Sequence, residues 1–402
     1  MSIPQHPASA ATIFLDQPPS CLQFCPSAPN NFIIGTYLLS ENKDSDGNVQ
    51  QTKTGSLQLW NLSPLSNELS LIQRLALPYA VFDLHFHPRD PSILAIATSA
   101  ASVALFKFST DPEPTISHLW TLPVHEDPST PALFLAWAPR NWFPQPEQDG
   151  FAVTFSDGRT SVYGTVSANK KEAALTEQSN SSPEERAIPH LFTGNDFGSL
   201  HTRQFSVRAA VEGEEPLGPL VLDYDDRARH HTAGVTSILP LPLPLHEGAP
   251  LLLTGSYDEY LRVYHATRRG QVLAEESLGG GVWRLQLLKT EKWPASETEG
   301  EGWRFLILAS CMHAGTRVAA VTWRPQRADD SESGWSIDVL AQFTEHESMN
   351  YASDVWKAEG GYDLEGKDIS ELVCVSSSFY DRRVCIWRVD LQTEQPPSQS
   401  EG

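Results

Sequence analysis

Three aspartates and three histidines have spacings that fit either a structural hydrogen-bond network or general base catalysis. The aspartates are Asp157, Asp258 and Asp381, and the histidines are His125, His231 and His346. Each aspartate stands six residues before an aromatic residue that ends a strand. A turn aspartate can hydrogen-bond a histidine of the preceding loop in a buried network, whereas an accessible histidine is the natural base near neutral pH. The spacing favours the structural network, and catalysis by one or two of these residues is the alternative.

No sequence-local motif for nucleophilic, metal or nucleotide chemistry occurs. The chain has no G-x-S-x-G elbow, no H-E-x-x-H or C-x-x-C pair and no P-loop. Gly279–Gly281 leads into a strand instead of a helix, which favours a tight turn over a phosphate-binding loop. The five cysteines lack metal-site spacing and are expected to be reduced core thiols. We therefore expect no metal and no cofactor, and any active site must combine loops that are distant in sequence.

The chain repeats a unit of strand, turn and strand that ends in an aromatic residue. The clearest copy is Leu251–Tyr264, LLLTGSYDEYLRVY. Seven segments fit the second strand of this unit: Gly55–Trp60, Ser102–Phe106, Arg159–Tyr163, Gly198–Arg203, Tyr260–Tyr264, Thr316–Ala320 and Arg383–Trp387. Such repetition is typical of propeller blades, so the sequence predicts an all-β, seven-bladed WD40-type β-propeller.

The two ends of the chain are predicted to meet in one blade. The last unit is one strand short, and the N-terminal run Ala11–Asp16 can supply its outer strand, which removes free sheet edges. We therefore assign residues 1–391 to a single propeller and residues 392–402 to a flexible tail. Polar composition marks inserts near residues 41–51, 167–187, 296–302 and 328–334.

The chain is strongly acidic. Its 402 residues include 29 Lys and Arg against 50 Asp and Glu, for a formal net charge of −21. Such a charge repels nucleic acid and argues against a basic groove. No run approaches the roughly 20 apolar residues of a membrane span, and the N-terminus lacks a signal-peptide pattern. We expect a monomer in the cytoplasm, with the nucleus as a second location, and neither nucleic acid nor membrane as a partner.

Several phrases along the chain are more selective than the repeat itself. They include TGNDFGSL (Thr193–Leu200), GGGVWRL (Gly279–Leu285), LASCMHAG (Leu308–Gly315), EHESMNYASDVW (Glu345–Trp356) and SSFYDRRVCIW (Ser377–Trp387). In wording and order they resemble the diphthine methyl ester hydrolase family of WD-repeat proteins, which older usage calls diphthine methyltransferases. The resemblance spans almost the whole chain apart from the polar inserts.

The resemblance implies an enzyme of diphthamide biosynthesis. The substrate would be elongation factor 2 whose modified histidine carries a trimethylammonium group and a methyl ester, and hydrolysis would give diphthine and methanol. Other proteins of the diphthamide pathway would be further partners. The alternative is a non-catalytic WD-repeat scaffold or adaptor, the commonest use of propellers. A transferase is disfavoured, because no glycine-rich strand-to-helix loop is present to hold a nucleotide-like methyl donor.

Hydrolysis of such an ester requires a general base, oxyanion donors and groups that bind a cation. His313 is the first choice for the base because it does not fit the network spacing, and His231 and His346 are the alternatives. The residues expected to bind substrate are Tyr257, Asp258, Tyr380 and Asp381 around the trimethylammonium, and Ser348 and Tyr351 near the oxyanion.

Overall fold

A computed structural model describes residues 3–43, 49–139, 142, 149–164, 189–206, 219–293, 301–325 and 334–391. Within these ranges the chain forms 27 β-strands and no helix, arranged as seven antiparallel sheets. Each of the seven segments predicted from the repeat lies in a different sheet. The predicted all-β, seven-bladed WD40-type propeller is therefore confirmed.

Blades 1 to 4 follow one another along the chain. Blade 1 contains β2 (Pro19–Phe24), β3 (Asn31–Thr36), β5 (Val49–Ser63) and β6 (Glu68–Leu77), and β4 (Leu38–Lys43) pairs with the start of β5. Blade 2 contains β7 (Val81–Phe86), β8 (Ile93–Thr98), β9 (Ser102–Ser109) and β10 (Thr115–Pro123). Blade 3 contains β11 (Ala132–Trp137), β12 (Gly150–Phe155) and β13 (Thr160–Gly164), and blade 4 contains β14 (His190–Gly194), β15 (Leu200–Phe205) and β16 (Leu220–Asp225).

Blades 5 to 7 complete the ring. Blade 5 contains β17 (Val235–Pro240), β18 (Leu251–Ser256), β19 (Tyr260–His265) and β20 (Gln271–Ser277). Blade 6 contains β21 (Arg284–Trp293), β22 (Gly302–Ser310), β23 (Thr316–Trp323) and β24 (Trp335–Phe343), and blade 7 contains β25 (Asn350–Val355), β26 (Glu371–Ser378), β27 (Arg383–Asp390) and the N-terminal β1 (Ser9–Phe14).

The N-terminal segment joins the last two blades. β1 pairs antiparallel with β27, with Thr12 opposite Cys385. Further toward the N-terminus, Gln5 forms a parallel bridge with Ala341 of β24 in blade 6. The prediction that the N-terminal strand completes the last blade is confirmed, with the strand shifted two residues toward the N-terminus.

Most of the predicted inserts lie outside the described residues. Residues 167–187 and the tail 392–402 fall there completely, as do most of 296–302 and 328–334. The stretch 41–51 is bounded by paired strands, because β4 and the start of β5 form a hairpin that extends blade 1.

A β-bulge recurs at the start of the inner strands. The pairing register skips one residue in β2, β7, β11, β17 and β25. A bulge leaves its extra residue unpaired and redirects that side chain. The residues so placed are Ser20, Phe82, Leu133, Thr236 and Tyr351. They lie at one end of the central channel, together with the turns between the second and third strands of the blades, and we call this end the channel mouth.

Hydrogen bonds between inner strands hold neighbouring blades together. In each case a side chain of one inner strand accepts from a backbone N–H of the next. The pairs are Gln23 with Phe86 (2.9 Å), Asp83 with Leu135 (3.1 Å), Ser237 with Leu285 (3.1 Å) and Asp354 with Phe24 (2.8 Å). These bonds fix the relative positions of neighbouring inner strands, which line the channel.

The five cysteines are free and buried, as the sequence predicts. Burial is the main cause that raises the pKa of Cys21 and of Cys311 to about 12. Both thiols are therefore protonated near neutral pH and are poor nucleophiles.

Candidate functional site

Seven aromatic rings form a continuous set at the channel mouth, which we call the aromatic cluster. Its members are Tyr37, Phe82, Tyr257, Trp283, Tyr351, Phe379 and Tyr380. The ring centroids of Trp283 and Tyr351 are 4.9 Å apart. Tyr257 lies 6.1 Å from Trp283, and Phe379 lies 5.5 Å from Tyr351.

The cluster continues from Phe379 in two directions. Tyr380 lies 5.0 Å from Phe379, and Tyr37 lies 5.9 Å from it on the other side. Phe82 then follows at 5.4 Å from Tyr37. The seven rings come from blades 1, 2, 5, 6 and 7 and its adjoining loops, so only the closed ring brings them together.

Turns and bulges position these rings. Tyr257 lies in the turn between β18 and β19, and Phe379 and Tyr380 lie in the turn between β26 and β27. Tyr351 is the bulge residue of β25, and Trp283 directly precedes β21. The three sequence-predicted tyrosines Tyr257, Tyr351 and Tyr380 therefore belong to one cluster.

Two rings of the cluster are accessible to solvent. Tyr257 and Tyr380 are 41% and 69% exposed. Burial is the main cause that raises the pKa of Tyr257 and of Tyr351, with the charge of Asp196 as the second cause for Tyr257. The phenols are thus protonated near neutral pH, and ring faces beside a carboxylate are suited to binding a quaternary ammonium group.

The glycine run before β21 allows two loops to touch beside the cluster. A Cβ on Gly280 would lie 2.5 Å from the carbonyl oxygen of Cys311, and one on Gly281 would lie 2.7 Å from Sδ of Met312. The contact at Gly280 is with backbone and excludes any larger residue, whereas a side chain at Gly281 would displace Met312. The run therefore packs against the turn that contains His313.

His313 is accessible at this mouth. The side chain is exposed, and within the described ranges its ring makes no hydrogen bond or ion pair. The preceding residue, Met312, has a positive φ of 43° and forms a backbone bridge to Asn350, the neighbour of Tyr351. The fold thus places the predicted base on the rim of the aromatic cluster with both ring nitrogens free.

His231 and His346 lie inside the blades. They are 1% and 7% exposed, and their Nε2 atoms lie 2.9 Å from Thr254 Oγ1 and 2.7 Å from Ser376 Oγ. Desolvation is the main cause that lowers the pKa of each histidine to about 4. Because a protein substrate cannot reach these rings, we remove both from the candidate bases.

One part of the expected network is wrong. Neither His231 Nδ1 nor His346 Nδ1 has a hydrogen-bond partner among the described residues, so the Asp–His bond is absent there. Asp258 instead accepts from the Thr232 backbone at 2.9 Å and from Arg262 Nη1 at 2.9 Å. The aspartate is drawn away by Arg262, whose charge requires a partner in a buried position. His125 does contact its aspartate, with Nε2 3.2 Å from Asp157 Oδ2.

Asp258, Asp381 and Ser348 hold turns instead of facing solvent. The Asp258 and Asp381 side chains are only 4% and 16% exposed. Ser348 Oγ donates to Asp381 Oδ1 at 2.9 Å and accepts from the Tyr380 backbone at 2.9 Å. Because the Ser348 proton is committed to Asp381, this hydroxyl is not a free oxyanion donor, and the bond instead positions Tyr380.

Asp196 is the accessible carboxylate that the sequence interpretation missed. It is exposed in the turn between β14 and β15. A Cβ on Gly234 would lie 2.9 Å from Asp196 Cα and 3.0 Å from Tyr257 Cδ2, so the two turns touch. The TGNDF phrase offered a signal, since it occupies the same turn position in blade 4 as SYD does in blade 5.

A buried ion pair crosses the channel below the cluster. Arg284 Nη2 of blade 6 lies 2.6 Å from Asp83 Oδ1 of blade 2. Asp83 is fully buried, and its other oxygen lies 3.0 Å from His85 Nε2. Burial of Asp83 acts to raise the pKa of its carboxyl group. The charge of Arg284 acts in the opposite direction and is the main cause that holds this pKa below its usual range. Arg284 directly follows Trp283 of the aromatic cluster in the sequence.

One group of described residues could hold a metal ion, and it is not at the mouth. His246, Glu247 and His265 offer ligand atoms within 4.8 Å of one another. His246 and Glu247 belong to the connection between β17 and β18, whereas the mouth turn of this blade joins β18 and β19. Within the described ranges, no helix has the length and apolar character needed to cross a membrane.

Comparison with known proteins identifies relatives over nearly the full chain. A Schizosaccharomyces pombe protein named diphthine methyltransferase is 24% identical over 94% of this chain and 96% of its own length. A Dictyostelium discoideum protein named diphthine methyltransferase homolog is 21% identical over 94% and 98%. The Homo sapiens diphthine methyltransferase is 32% identical over 127 residues, which are 32% of this chain and 23% of the human protein.

Two further comparisons were made, one with models of protein families and one with solved structures. No protein-family model matches the chain. A chain in a crystal structure of the mitotic checkpoint complex superposes with a TM-score of 0.52 at 12% identity, over 95% of this chain and 92% of that one, which supports the propeller fold alone. Across almost its whole length, this chain is thus similar to proteins named diphthine methyltransferase, as its sequence phrases predict.

Proposed function

We propose that the protein hydrolyses the methyl ester of methylated diphthine on elongation factor 2, which yields diphthine and methanol. The name shared by its relatives points to diphthamide biosynthesis and to a methyl-group-related enzyme. The aromatic cluster is the observation that carries the finer proposal. Its open tyrosine faces beside Asp196 are suited to a trimethylammonium group, which this substrate carries next to its ester.

In the proposed reaction, His313 is the general base. It accepts a proton from water while the water oxygen bonds to the ester carbonyl carbon and the carbonyl electron pair moves to oxygen. The intermediate then collapses with cleavage of the bond to the methoxy group, which takes the proton from His313 and leaves as methanol. General base catalysis of this kind contributes about 10² to 10⁴ in rate.

The proposed docking is at the channel mouth. Tyr257 and Tyr380 would contact the trimethylammonium because their faces are the most exposed of the three sequence-predicted tyrosines. Asp196 would supply the counter-charge. We keep the protein as a cytoplasmic monomer in this proposal.

The experiment mixes the purified protein with elongation factor 2 that carries the methylated intermediate. We expect release of methanol. The mass of the modified peptide should fall by ~14 Da, the CH₂ by which a methyl ester exceeds its acid, and mass spectrometry resolves this difference. Stable binding of the factor without methanol release would instead support the alternative, a non-catalytic scaffold.

A further inference from the structure

Arg284 has most of its hydrogen-bond donors unpaired within the described residues. A guanidinium carries five N–H donors. Within the described residues, the hydrogen bond from Nη2 to Asp83 is the one that Arg284 makes. Its side chain is 18% exposed, and its unpaired nitrogens are not among the fully buried polar atoms of the described residues, so solvent reaches them.

Asp83, in contrast, has contacts at both of its carboxylate oxygens. One oxygen accepts from Arg284, and the other accepts from the Leu135 backbone at 3.1 Å and lies 3.0 Å from His85 Nε2. The carboxylate therefore fixes the guanidinium from below by a single contact. A guanidinium that donates to a carboxylate through one Nη can still donate its other N–H groups to a second oxygen ligand.

The position of Arg284 selects the kind of ligand. Trp283 precedes it directly and belongs to the aromatic cluster, so rings for a cation and N–H donors for oxygen come from neighbouring residues at the start of one inner strand. A small group that carries both a quaternary ammonium and a carboxyl or ester oxygen satisfies both features at once. A simple ammonium ion would leave the guanidinium donors unused.

We propose that Arg284 binds the ester carbonyl oxygen of the substrate side chain and stabilises the oxyanion that forms on it, with Asp83 as its positioning residue. This inference rests on the proposed function and adds the oxyanion donor that Ser348 cannot supply. As water adds to the carbonyl carbon, the displaced electron pair moves to the oxygen that faces Arg284. The pair then returns as the bond to the methoxy group breaks.

The kinetic test uses two variants that both lack the buried carboxylate charge. Arg284→Met alone leaves Asp83 without its counter-ion and can fail to fold. We therefore compare Asp83→Asn, whose amide oxygen can still accept from Arg284 Nη2 and position it, with the double variant Asp83→Asn/Arg284→Met. The double variant should lose about 10² to 10³ in kcat relative to Asp83→Asn, with a smaller change in KM, as for loss of one oxyanion donor. The surface change Arg74→Met should leave kcat unchanged. Equal kcat in the two channel variants would overturn the assignment.

A binding test separates this inference from the esterase proposal. Ligand-observed NMR compares glycine betaine, which has a carboxylate beside its trimethylammonium, with tetramethylammonium. The wild-type protein should prefer glycine betaine by ~10-fold, about one charge-assisted hydrogen bond, and the double variant should lose that preference. If the wild-type protein releases no methanol, the proposed function fails and this preference alone decides the role of Arg284. A preference that survives in the double variant contradicts that role.

Discussion

Trp283 and Tyr351 face each other across the boundary between blades 6 and 7, with ring centroids 4.9 Å apart and planes inclined by 52°. Each stands at the start of an inner strand, where the chain turns into the channel. Because the two rings belong to different blades, their contact depends on closure of the ring. The binding surface is thus a property of the assembled propeller and of no single repeat.

Replacing Trp283 with Leu should weaken substrate binding more than it weakens the fold. The change removes the ring that joins Tyr257 to Tyr351, and a cation–π contact contributes roughly 0.5 to 2 kcal/mol. We expect KM for the methylated factor to rise by about 2-fold to 30-fold. Trp283→Phe should retain most of the affinity, and Leu65→Ala, at a residue 96% exposed, should change nothing. Steady-state methanol release measures all three, and an unchanged KM in Trp283→Leu would contradict a role in binding.

Ring closure can be dissected at the N-terminus. Deletion of residues 1–8 removes the bridge from Gln5 to Ala341, whereas deletion of residues 1–14 also removes the strand paired with β27. The longer deletion exposes the edge of β27 and should lower the melting temperature of the whole propeller by clearly more than the shorter one. Differential scanning calorimetry should show one cooperative transition shifted downward. Equal melting temperatures for both deletions would mean that β1 does not close the ring.

The sequence predicted the blades but only part of the candidate site. Alternating strands and turn residues are local features, so the segments around Tyr264 and Trp387 could be placed correctly. Tyr37, Phe82 and Trp283 were missed because they meet only through the closure of the ring.

The network around His231 illustrates a second limit. The spacing predicted a buried histidine in a structural network, and the structure shows His231 buried with Nε2 2.9 Å from Thr254 Oγ1. It could not show that Asp258 accepts from Arg262 instead of from His231, because the partner of Asp258 depends on distances in the folded chain. The pair of Arg284 and Asp83, 201 residues apart, lies beyond any local pattern for the same reason.

His231 and His346 should make the fold sensitive to mild acid. Burial lowers the pKa of each ring to about 4 in the folded protein, against 6.5 as the ordinary value. A histidine whose pKa is lower in the folded protein binds a proton more readily in the unfolded chain. Its contribution to the free energy of unfolding is therefore fully present above about pH 6.5 and is lost as the pH falls toward 4. Each ring should account for a loss on the order of 3 kcal/mol across that window.

Urea unfolding between pH 7.5 and 4.5 measures this loss. The double variant His231→Gln/His346→Gln should be less stable at pH 7.5, because Gln packs poorly in place of the rings, but should lose less stability on acidification. His118→Gln, at an exposed residue of β10, is the matched control and should follow the wild-type curve. Parallel curves for the wild-type protein and the double variant would assign the acid sensitivity to other groups.

Replacing His313 should separate catalysis from folding. Because the ring is exposed and makes no hydrogen bond within the described residues, His313→Ala should leave the melting temperature within a few degrees of wild type. Loss of a general base should lower kcat for methanol release by about 10² to 10⁴. His118→Ala serves as the control, because His118 is also exposed and lies in β10, the outer strand of blade 2. A His313→Ala protein with full esterase activity would eliminate His313 as the base.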